Sequence, residues 1–266
     1  VGNGISMILF AGILSGASSA VLTMWNYFRM GEQAVKYYFY VPLILVLFLA
    51  MIVFIIIMNS AERRIPVQYA KRVVGRKMYG GQSTHIPMKV NMSGVMPVIF
   101  ASSILSLPPT IQMFVDVKEG SGWDKFFVFF RSTHPVYIVL YFVMIIFFAY
   151  FYAQIQYNPI EMANNIRKNS GAIPGIRPGK PTSDYIAKIL SRLTLMGALL
   201  LSVVALFPTL FSQVATFFLK MAGYTQGLNI SLGGTSIIIM VGVALETAQQ
   251  LESQMRTELL TALQPA

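Results

Sequence analysis

The stretch that decides the fold is Asn59–Leu105, NSAERRIPVQYAKRVVGRKMYGGQSTHIPMKVNMSGVMPVIFASSIL. It joins a basic segment, about 59–91, to an apolar segment that is rich in proline and serine. Within the basic part, VVGRKMY (73–79) places Arg76 and Lys77 after a glycine and between two apolar pairs. This pattern predicts a hairpin-like protrusion with a basic tip.

The rest of the chain has the composition of a membrane protein. Of 266 residues, 55% are hydrophobic and only 11% are charged, whereas about a quarter of residues are charged in soluble proteins. A helix of about 20 apolar residues crosses a bilayer. The sequence therefore predicts an all-α polytopic membrane protein. We expect six transmembrane helices, at about 5–25, 41–58, 95–115, 137–157, 193–211 and 234–250.

Two basic loops, about 59–91 and 158–192, interrupt these apolar segments, and the net charge is +10. Positive loops stay on the cytoplasmic side of a membrane, so both loops and both termini of this chain are predicted to be cytoplasmic. The second loop contains the turn-rich sequence GAIPGIRPGKPT (171–182). Topology alone does not require loops of this length and shape. Shaped basic protrusions dock on RNA phosphates or acidic protein surfaces.

The residues argue against enzyme chemistry. There is no cysteine, and His85 and His134 are far apart and form no zinc motif. The loop around Arg177 lacks the spacing of a phosphate-binding loop. We expect no catalytic residue, no metal and no cofactor. Glu246 is the one acidic residue in a predicted span, close to its end, which argues against ion-coupled transport. A secondary transporter of a small solute remains the alternative.

The third predicted span is unusually polar. Pro97, Ser102 and Ser103 lie within it, and proline in a membrane helix frees backbone groups that protein or water must satisfy. We expect this helix to line a cavity or to move. The chain opens VGNGIS, with neither Met nor a charged leader, and we expect it to be the later part of a longer protein.

Several long motifs resemble the SecY family, the channel-forming subunit of the bacterial Sec protein translocon. The similarity extends over essentially the whole chain, and the chain resembles the fifth to tenth spans of the family. This implies the C-terminal half plus one helix of a ten-helix clamshell, without the first four spans. The motifs are GNGIS (2–6), ERRIPVQYAKR (62–72), QSTHIPMKVNMSGVMPVIFASSIL (82–105), NPIEMANNIRKNSGAIPGIRPGKPT (158–182), SRLTLMGALLL (191–201) and LGGTS (232–236).

The resemblance implies a channel with an aliphatic constriction. The matching positions are Ile5, Leu9, Ile99 and Ile239, with Leu9 where an isoleucine is common. Such a ring seals against ions by dewetting and yields to a passing chain. The third and fourth spans match one side of the lateral gate, where a signal peptide would bind. Pro97, Ser102 and Ser103 are the expected gate residues.

The resemblance also implies docking sites and partners. The basic positions that would contact the SecA motor or the ribosomal RNA phosphates are Arg76, Lys77, Lys89, Arg177 and Lys180. The expected partners are the small subunits SecE and SecG, SecA, the ribosome, signal peptides and nascent polypeptides, the lipid bilayer and the four remaining spans. The implied location is the bacterial cytoplasmic membrane. We also hypothesise that the segment 82–92 links docking mechanically to the gate helix.

Overall fold

The computed structural model describes residues 4–30, 36–69, 72–74, 77–79, 83–115, 121–131, 134–221 and 234–262. Within this part the chain is mostly helical, as predicted. The helices are α1 (Gly4–Met30), α2 (Lys36–Ser60), α3 (Met96–Gln112), α4 (Gly122–Val128), α5 (Pro135–Gln156), α6 (Pro159–Lys168), α7 (Lys180–Met221) and α8 (Gly234–Ala262). The strands are β1 (Glu62–Tyr69), β2 (Arg72–Val74), β3 (Lys77–Tyr79), β4 (Ser83–Lys89) and β5 (Gly171–Ala172).

Three stretches of the described residues are helical, long and apolar enough to cross a membrane: Pro42–Ser60, Pro135–Lys168 and Lys180–Val214. The apolar helix Met96–Gln112 is shorter. The chain is therefore a multi-pass membrane protein. Helices also occupy the predicted windows 5–25 and 234–250, but the count of six spans stays a prediction.

The basic segments contain β-structure, so the fold is not all-α. β1 pairs antiparallel with β4, from Glu62 opposite Lys89 to Gln68 opposite Ser83. β2 and β3 form a second short hairpin between them in sequence. The protrusion predicted from the sequence thus contains two antiparallel strand pairs, β1–β4 and β2–β3. The apolar composition predicted the helices. The glycines of the basic segment predicted the hairpin, which is a local departure from an all-helical fold.

The helix α7 is longer than the predicted span 193–211 at both ends. It begins at Lys180 because Ile186, Ile189, Leu190 and Leu193 repeat at helical spacing and are all buried, among exposed polar residues. The last part of the predicted second loop is therefore an amphipathic extension of the span. α6 occupies another part of the same loop.

The chain divides into two compact units. The first comprises Val1–Ile57, Leu105–Val139 and Val203–Ala266, and the second comprises Met58–Ile104 and Leu140–Ser202. In the first unit, α1 packs against α8. In the second unit, β1, β4 and α6 pack against the first part of α7 around a buried cluster. The candidate docking residues that the structure describes lie in the second unit.

Candidate functional site

The two basic loops form one folded body, which we call the loop module and define as the described residues of 59–93 and 157–193. The connection is β5, which adds to the free edge of β1 and gives the sheet order β4-β1-β5. Gln68 lies opposite Ala172 and Tyr69 opposite Gly171. Strand pairing fixes the relative position of two segments about 100 residues apart in sequence. The sequence predicted two separate loops and gave no sign of this pairing.

Close packing reinforces the pairing at Gly171. A Cβ atom there would come within 2.9 Å of Tyr69 Cε1 and 3.1 Å of the Ile166 carbonyl oxygen. A side chain at this position would have to displace the Tyr69 ring and would crowd the Ile166 carbonyl, so glycine fits best here. The edge of the sheet thus lies directly against the end of α6.

The loop module has a hydrophobic core, which we call the loop core. In β1 the alternation of a strand places Ile65 and Val67 inside and Arg64, Pro66 and Gln68 outside. The buried cluster contains residues from β1, β4, α6, the second loop and α7. Its members are Ile65, Val67, Met88, Met92, Ala163, Ile166, Ile173, Ile186, Ile189, Leu190 and Leu193. The module is thus folded in the manner of a small soluble domain.

The position of Arg177 is set by a turn before it and by the start of α7 after it. The Ile176 amide donates to the Ile173 carbonyl at 3.0 Å, and Gly175 has φ +81°. With Pro174 before that glycine, these are the features of a type II turn. Both isoleucines are directed inward: Ile173 is buried in the loop core and Ile176 packs against it. The chain therefore leaves the core at Arg177, whose side chain is exposed.

The start of α7 holds the backbone of Arg177. The Thr182 hydroxyl donates to the Arg177 carbonyl at 2.9 Å, and its amide donates to the Gly179 carbonyl at 3.1 Å. Thr182 is buried, so this hydroxyl has little access to water and the hydrogen bond to the carbonyl is worth more than on the surface. The sequence reading did not single out Thr182. A hydroxyl residue in the first turn of a helix is the signal that could have indicated it.

The surface of the loop module is strongly basic. The exposed basic side chains are Arg63, Arg64, Lys89, Arg167, Lys168, Arg177, Lys180, Lys188 and Arg192. The exposed acidic side chains among the described residues of the module are Glu62, Glu161 and Asp184. Like charges on one rigid body add to a field that attracts anionic surfaces over about a Debye length, ~8–10 Å at cellular salt.

Three of the five predicted docking residues have described side chains. Lys89, Arg177 and Lys180 are exposed on the loop module. Lys77 is the first residue of β3 and pairs with Val74, but its side chain is outside the described part of the structure. Arg76 lies outside the described residues altogether. The basic tip that the sequence predicted is therefore still a prediction.

A short connector, Val90–Gly94, begins in the last residues of the module's first segment and leads to α3. At its start the Val90 amide donates to the Ala61 carbonyl at 2.9 Å, and the buried Asn91 donates through Nδ2 to Asn59 Oδ1 at 2.8 Å. Ser93 Oγ donates to the Ala149 carbonyl of α5 at 3.0 Å. The connector is thus attached to the end of α2 and to α5.

The helix α7 lies directly against the same connector. A Cβ atom on Gly197 would be 2.5 Å from the Val90 carbonyl oxygen. A side chain at this position would force backbone apart, so Gly197 allows α7 and the connector to touch. No spacing pattern in the sequence indicated this contact.

The helix α3, which contains the three predicted gate residues, begins one residue after the predicted start at 95. Helix begins at Met96, so Pro97 lies in the first turn, where its missing amide hydrogen would have had no partner in the helix. The expectation that Pro97 frees a backbone group inside the helix is therefore wrong. The Ser102 and Ser103 hydroxyls both donate to the Ile99 carbonyl, at 2.9 and 2.7 Å. In this state they bond to their own helix.

The four predicted pore residues lie on α1, α3 and α8. Ile99 and Ile239 are each partly exposed, so each presents an aliphatic surface. Ile5 and Leu9 are positions of α1, and their side chains are outside the described part of the structure. The grouping of these residues into a ring stays a prediction.

The described residues contain no group of three or more His, Cys, Asp or Glu side chains that could hold a metal ion.

Comparisons with known proteins point to one family. Residues 1–248 match the sequence model of the SecY family. Protein translocase subunit SecY of Streptomyces galbus is 43% identical over 258 residues, and that of Halalkalibacterium halodurans is 46% identical over 259. Each alignment covers 96% of this chain but only 56% and 57% of the relative. The chain therefore spans a little over half the length of these relatives.

Two solved structures show the same fold at low sequence identity. One is a SecY protein whose plug domain is described as stabilising the closed state of the translocation channel, and the other is described as a protein-conducting channel. The TM-scores are 0.57 and 0.58, with 17% and 18% identity, over all of this chain and 63% and 62% of theirs. The alternative of a small-solute transporter is not favoured by any of these matches.

Proposed function

We propose a channel function from the premise that this chain belongs to the SecY family. In this proposal the chain forms part of a channel that passes unfolded secretory polypeptides across the bacterial cytoplasmic membrane. The same channel releases membrane proteins sideways into the lipid. Chemistry at this chain is not part of the proposal, because the energy for movement comes from the docked partner.

The observation that carries the proposal is the loop module. Two basic segments far apart in sequence form one sheet over one core, and Arg177 is held between two turns at its surface. A chain that needed positive charge only for topology would not require a shaped, rigid body to carry it. A rigid basic surface supports docking, because few side chains lose freedom when the partner binds.

We propose that the partners at this surface are the SecA motor and the ribosome. Ribosomal RNA phosphates and motor carboxylates are both anionic, and arginine pairs with either in a bidentate manner. Arg177, Lys180 and Lys89 are the described contact residues of this proposal, with Arg76 and Lys77 at the tip. SecE and SecG are the proposed membrane partners. The proposed topology places both loops and both termini of the chain in the cytoplasm.

The remaining sites are proposed in the same way. The domain assignment is a SecY-like membrane region over 1–266 with six spans. Ile5, Leu9, Ile99 and Ile239 contribute to the aliphatic constriction. Pro97, Ser102 and Ser103 belong to the lateral gate. The two serine hydroxyls donate to the Ile99 carbonyl, and so they add no free polar group to a surface that must accept an apolar signal peptide.

The link between docking and gating is also part of the proposal. The original hypothesis placed it in 82–92, from adjacency alone. The contacts of Asn91 with Asn59 and of Ser93 with Ala149 support an extension of the link to Gly94. A displaced loop module would pull on α3 through a connector that is attached at both ends.

Charge reversal at Arg177 tests the docking claim. In membranes that contain the assembled complex, we expect Arg177→Glu to weaken binding of SecA and of empty ribosomes about five- to twentyfold. Lys180→Glu should also weaken binding. Because a carboxylate in the first turn stabilises α7, a folding defect would not explain the weaker binding of this variant.

Arg131→Glu is the matched control, since it makes the same charge change on an exposed residue on the opposite side of the predicted topology. Its binding should equal that of the unaltered protein. Unchanged binding in both Arg177→Glu and Lys180→Glu would refute docking at this surface. Equal losses in all three variants would show that net charge, and not the loop module, governs the interaction.

A further inference from the structure

The segment between α3 and α5 carries a concentrated aromatic surface. In 123–130, WDKFFVFF, five of eight residues are aromatic. Phe127 is buried, whereas Trp123, Phe126 and Phe129 are 68%, 46% and 44% exposed. Such large apolar rings are unfavourable in water, at roughly 25 cal/mol for each Å² of exposed apolar surface. This surface, which we call the α4 aromatic face, therefore requires a covering.

The rings of this face are ordered relative to one another. Trp123 contacts Phe126 with ring centroids 6.3 Å apart, and Phe126 contacts Phe130 at 5.2 Å. Residues spaced by three and four share one side of a helix. The helical turn continues past Val128, because the amides of Phe129, Phe130 and Arg131 donate to carbonyls three residues earlier. The aromatic row is thus a fixed surface on a helical segment.

This surface is directly connected to a candidate membrane span. The span begins at Pro135, and the amides of His134 and Tyr137 continue the turns at 2.9 and 3.1 Å. Phe129 contacts the ring of His134, with centroids 5.1 Å apart. At the start of the span, Val136 and Val139 are also exposed apolar residues. The α4 aromatic face therefore continues into the exposed apolar surface at the start of α5.

We propose that the α4 aromatic face is seated in the interface of the lipid bilayer, at the level where headgroups meet acyl chains. Tryptophan concentrates at this level, and amphipathic helices with Trp and Phe on one side lie in its plane with that apolar side about 5–10 Å deep. The polar residues Lys125 and Arg131 are exposed and reach headgroup phosphates from this position. The segment holds the N-terminal end of α5 at the membrane surface. This proposal does not depend on the docking surface or on translocation.

The composition of the chain makes the test direct. Trp25 and Trp123 are the two tryptophans. Trp25→Phe retains a ring for Arg29, whose guanidinium carbon lies 5.7 Å from the Trp25 ring centroid. The purified complex is reconstituted in phosphatidylcholine–phosphatidylglycerol vesicles with bromine at acyl carbons 6,7 or 11,12. The difference between Trp25→Phe and Trp25→Phe/Trp123→Phe isolates the emission of Trp123.

We expect bromine at carbons 6,7 to quench Trp123 at least about twofold more than bromine at 11,12, as its shallow depth requires. Aqueous acrylamide should quench it weakly. A single tryptophan at position 126, Phe126→Trp in the doubly substituted background, should behave in the same way. Lys125→Trp is the matched control. Position 125 lies about 160° around the helix from Trp123 but one turn before Phe129, so acrylamide should quench a tryptophan there more than it quenches Trp123.

Three results would overturn the proposal. Strong quenching of Trp123 by acrylamide alone would place the face in water. Protection from both quenchers would place it against another protein subunit. Stronger quenching at carbons 11,12 would place it within the hydrocarbon and not at the interface. None of these results would affect binding of SecA or ribosomes, so failure here is separate from failure of the proposed function.

Discussion

The loop core and the outward face of α2 are both built from large aliphatic side chains, yet they are opposite in environment. Ile186 in the loop core is 1% exposed, whereas Leu49 on α2 is 52% exposed, with Val46 and Val53 beside it on the same face. Val46, Leu49 and Val53 repeat at helical spacing and lie in a stretch apolar enough to span a membrane. The loop core instead joins strands and helices that are distant in sequence.

The difference shows which property of the sequence each region requires. On the face of α2, lipid fills any space around a side chain, so apolarity is sufficient. In the loop core, neighbouring protein atoms are fixed and an empty volume is not filled. Substitutions that conserve polarity but change size should therefore be tolerated on α2 and damaging in the loop module. The predictions below test this contrast.

The largest effect is expected from a cavity in the loop core. Ile186→Ala should lower the free energy of unfolding by about 3 kcal/mol, which corresponds to roughly 6–12 °C in the midpoint for a protein of this size. Because the chain has no cysteine, a Ser202→Cys background allows unfolding to be followed with a thiol-reactive dye. Ser202 is fully buried, so the dye reacts when this unit opens.

Leu49→Ala is the matched control for this cavity, since it also removes aliphatic carbon. We expect a change below about 1 kcal/mol, because lipid or detergent replaces the lost atoms without leaving a void. If Leu49→Ala cost as much as Ile186→Ala, the outward face of α2 would be a protein contact. The contrast between the two regions would then be wrong.

The second effect concerns the close approach of α7 to the connector. Gly197→Ala should cost about 2 kcal/mol, because its Cβ would lie 2.5 Å from the Val90 carbonyl oxygen. The variant should also reduce partner-stimulated translocation more than partner binding, since the connector joins the loop module to α3. The two readouts are the dye assay and a comparison of SecA binding with transport into vesicles.

Gly12→Ala gives the same substitution on α1, where a Cβ would meet no atom of this chain within 4 Å. Stability should rise slightly or not change, because alanine favours helix by about 0.5–1 kcal/mol over glycine. A loss of stability there would indicate that a helix of another chain packs against α1. Equal losses of binding and transport in Gly197→Ala would argue against the connector as a link.

The sequence predicted the parts of this molecule that have a local signature. Apolar windows gave the helices, and the glycine between two apolar pairs gave a hairpin in the first basic loop. Arg177 and Lys89 are exposed on the loop module, as a docking role requires. The sequence could not predict the pairing of β5 with β1, because two residue pairs carry no periodic pattern.

Glycine and proline show the same limit. No spacing pattern of small residues in the sequence marks Gly197, where a Cβ would lie 2.5 Å from the Val90 carbonyl oxygen. Pro97 is the third residue of the predicted span 95–115 and the second residue of α3. Both positions are in the first turn, where proline is tolerated, so helix position and not the mere presence of proline decides its effect. Boundaries and distant contacts are set by the folded neighbours.

The smallest effect is expected at the hydrogen bond that holds Arg177. Thr182→Val keeps the shape of the side chain but removes the hydroxyl that donates to the Arg177 carbonyl at 2.9 Å. We expect a loss of about 1 kcal/mol in stability and about a two- to threefold weaker binding of SecA, because the exposed arginine becomes less well ordered. Thr182→Ser retains the donor and should restore most of the binding. If both variants bound SecA as the unaltered protein does, the backbone hydrogen bond would have no part in presenting Arg177. The type II turn at Gly175 would then be sufficient to hold it.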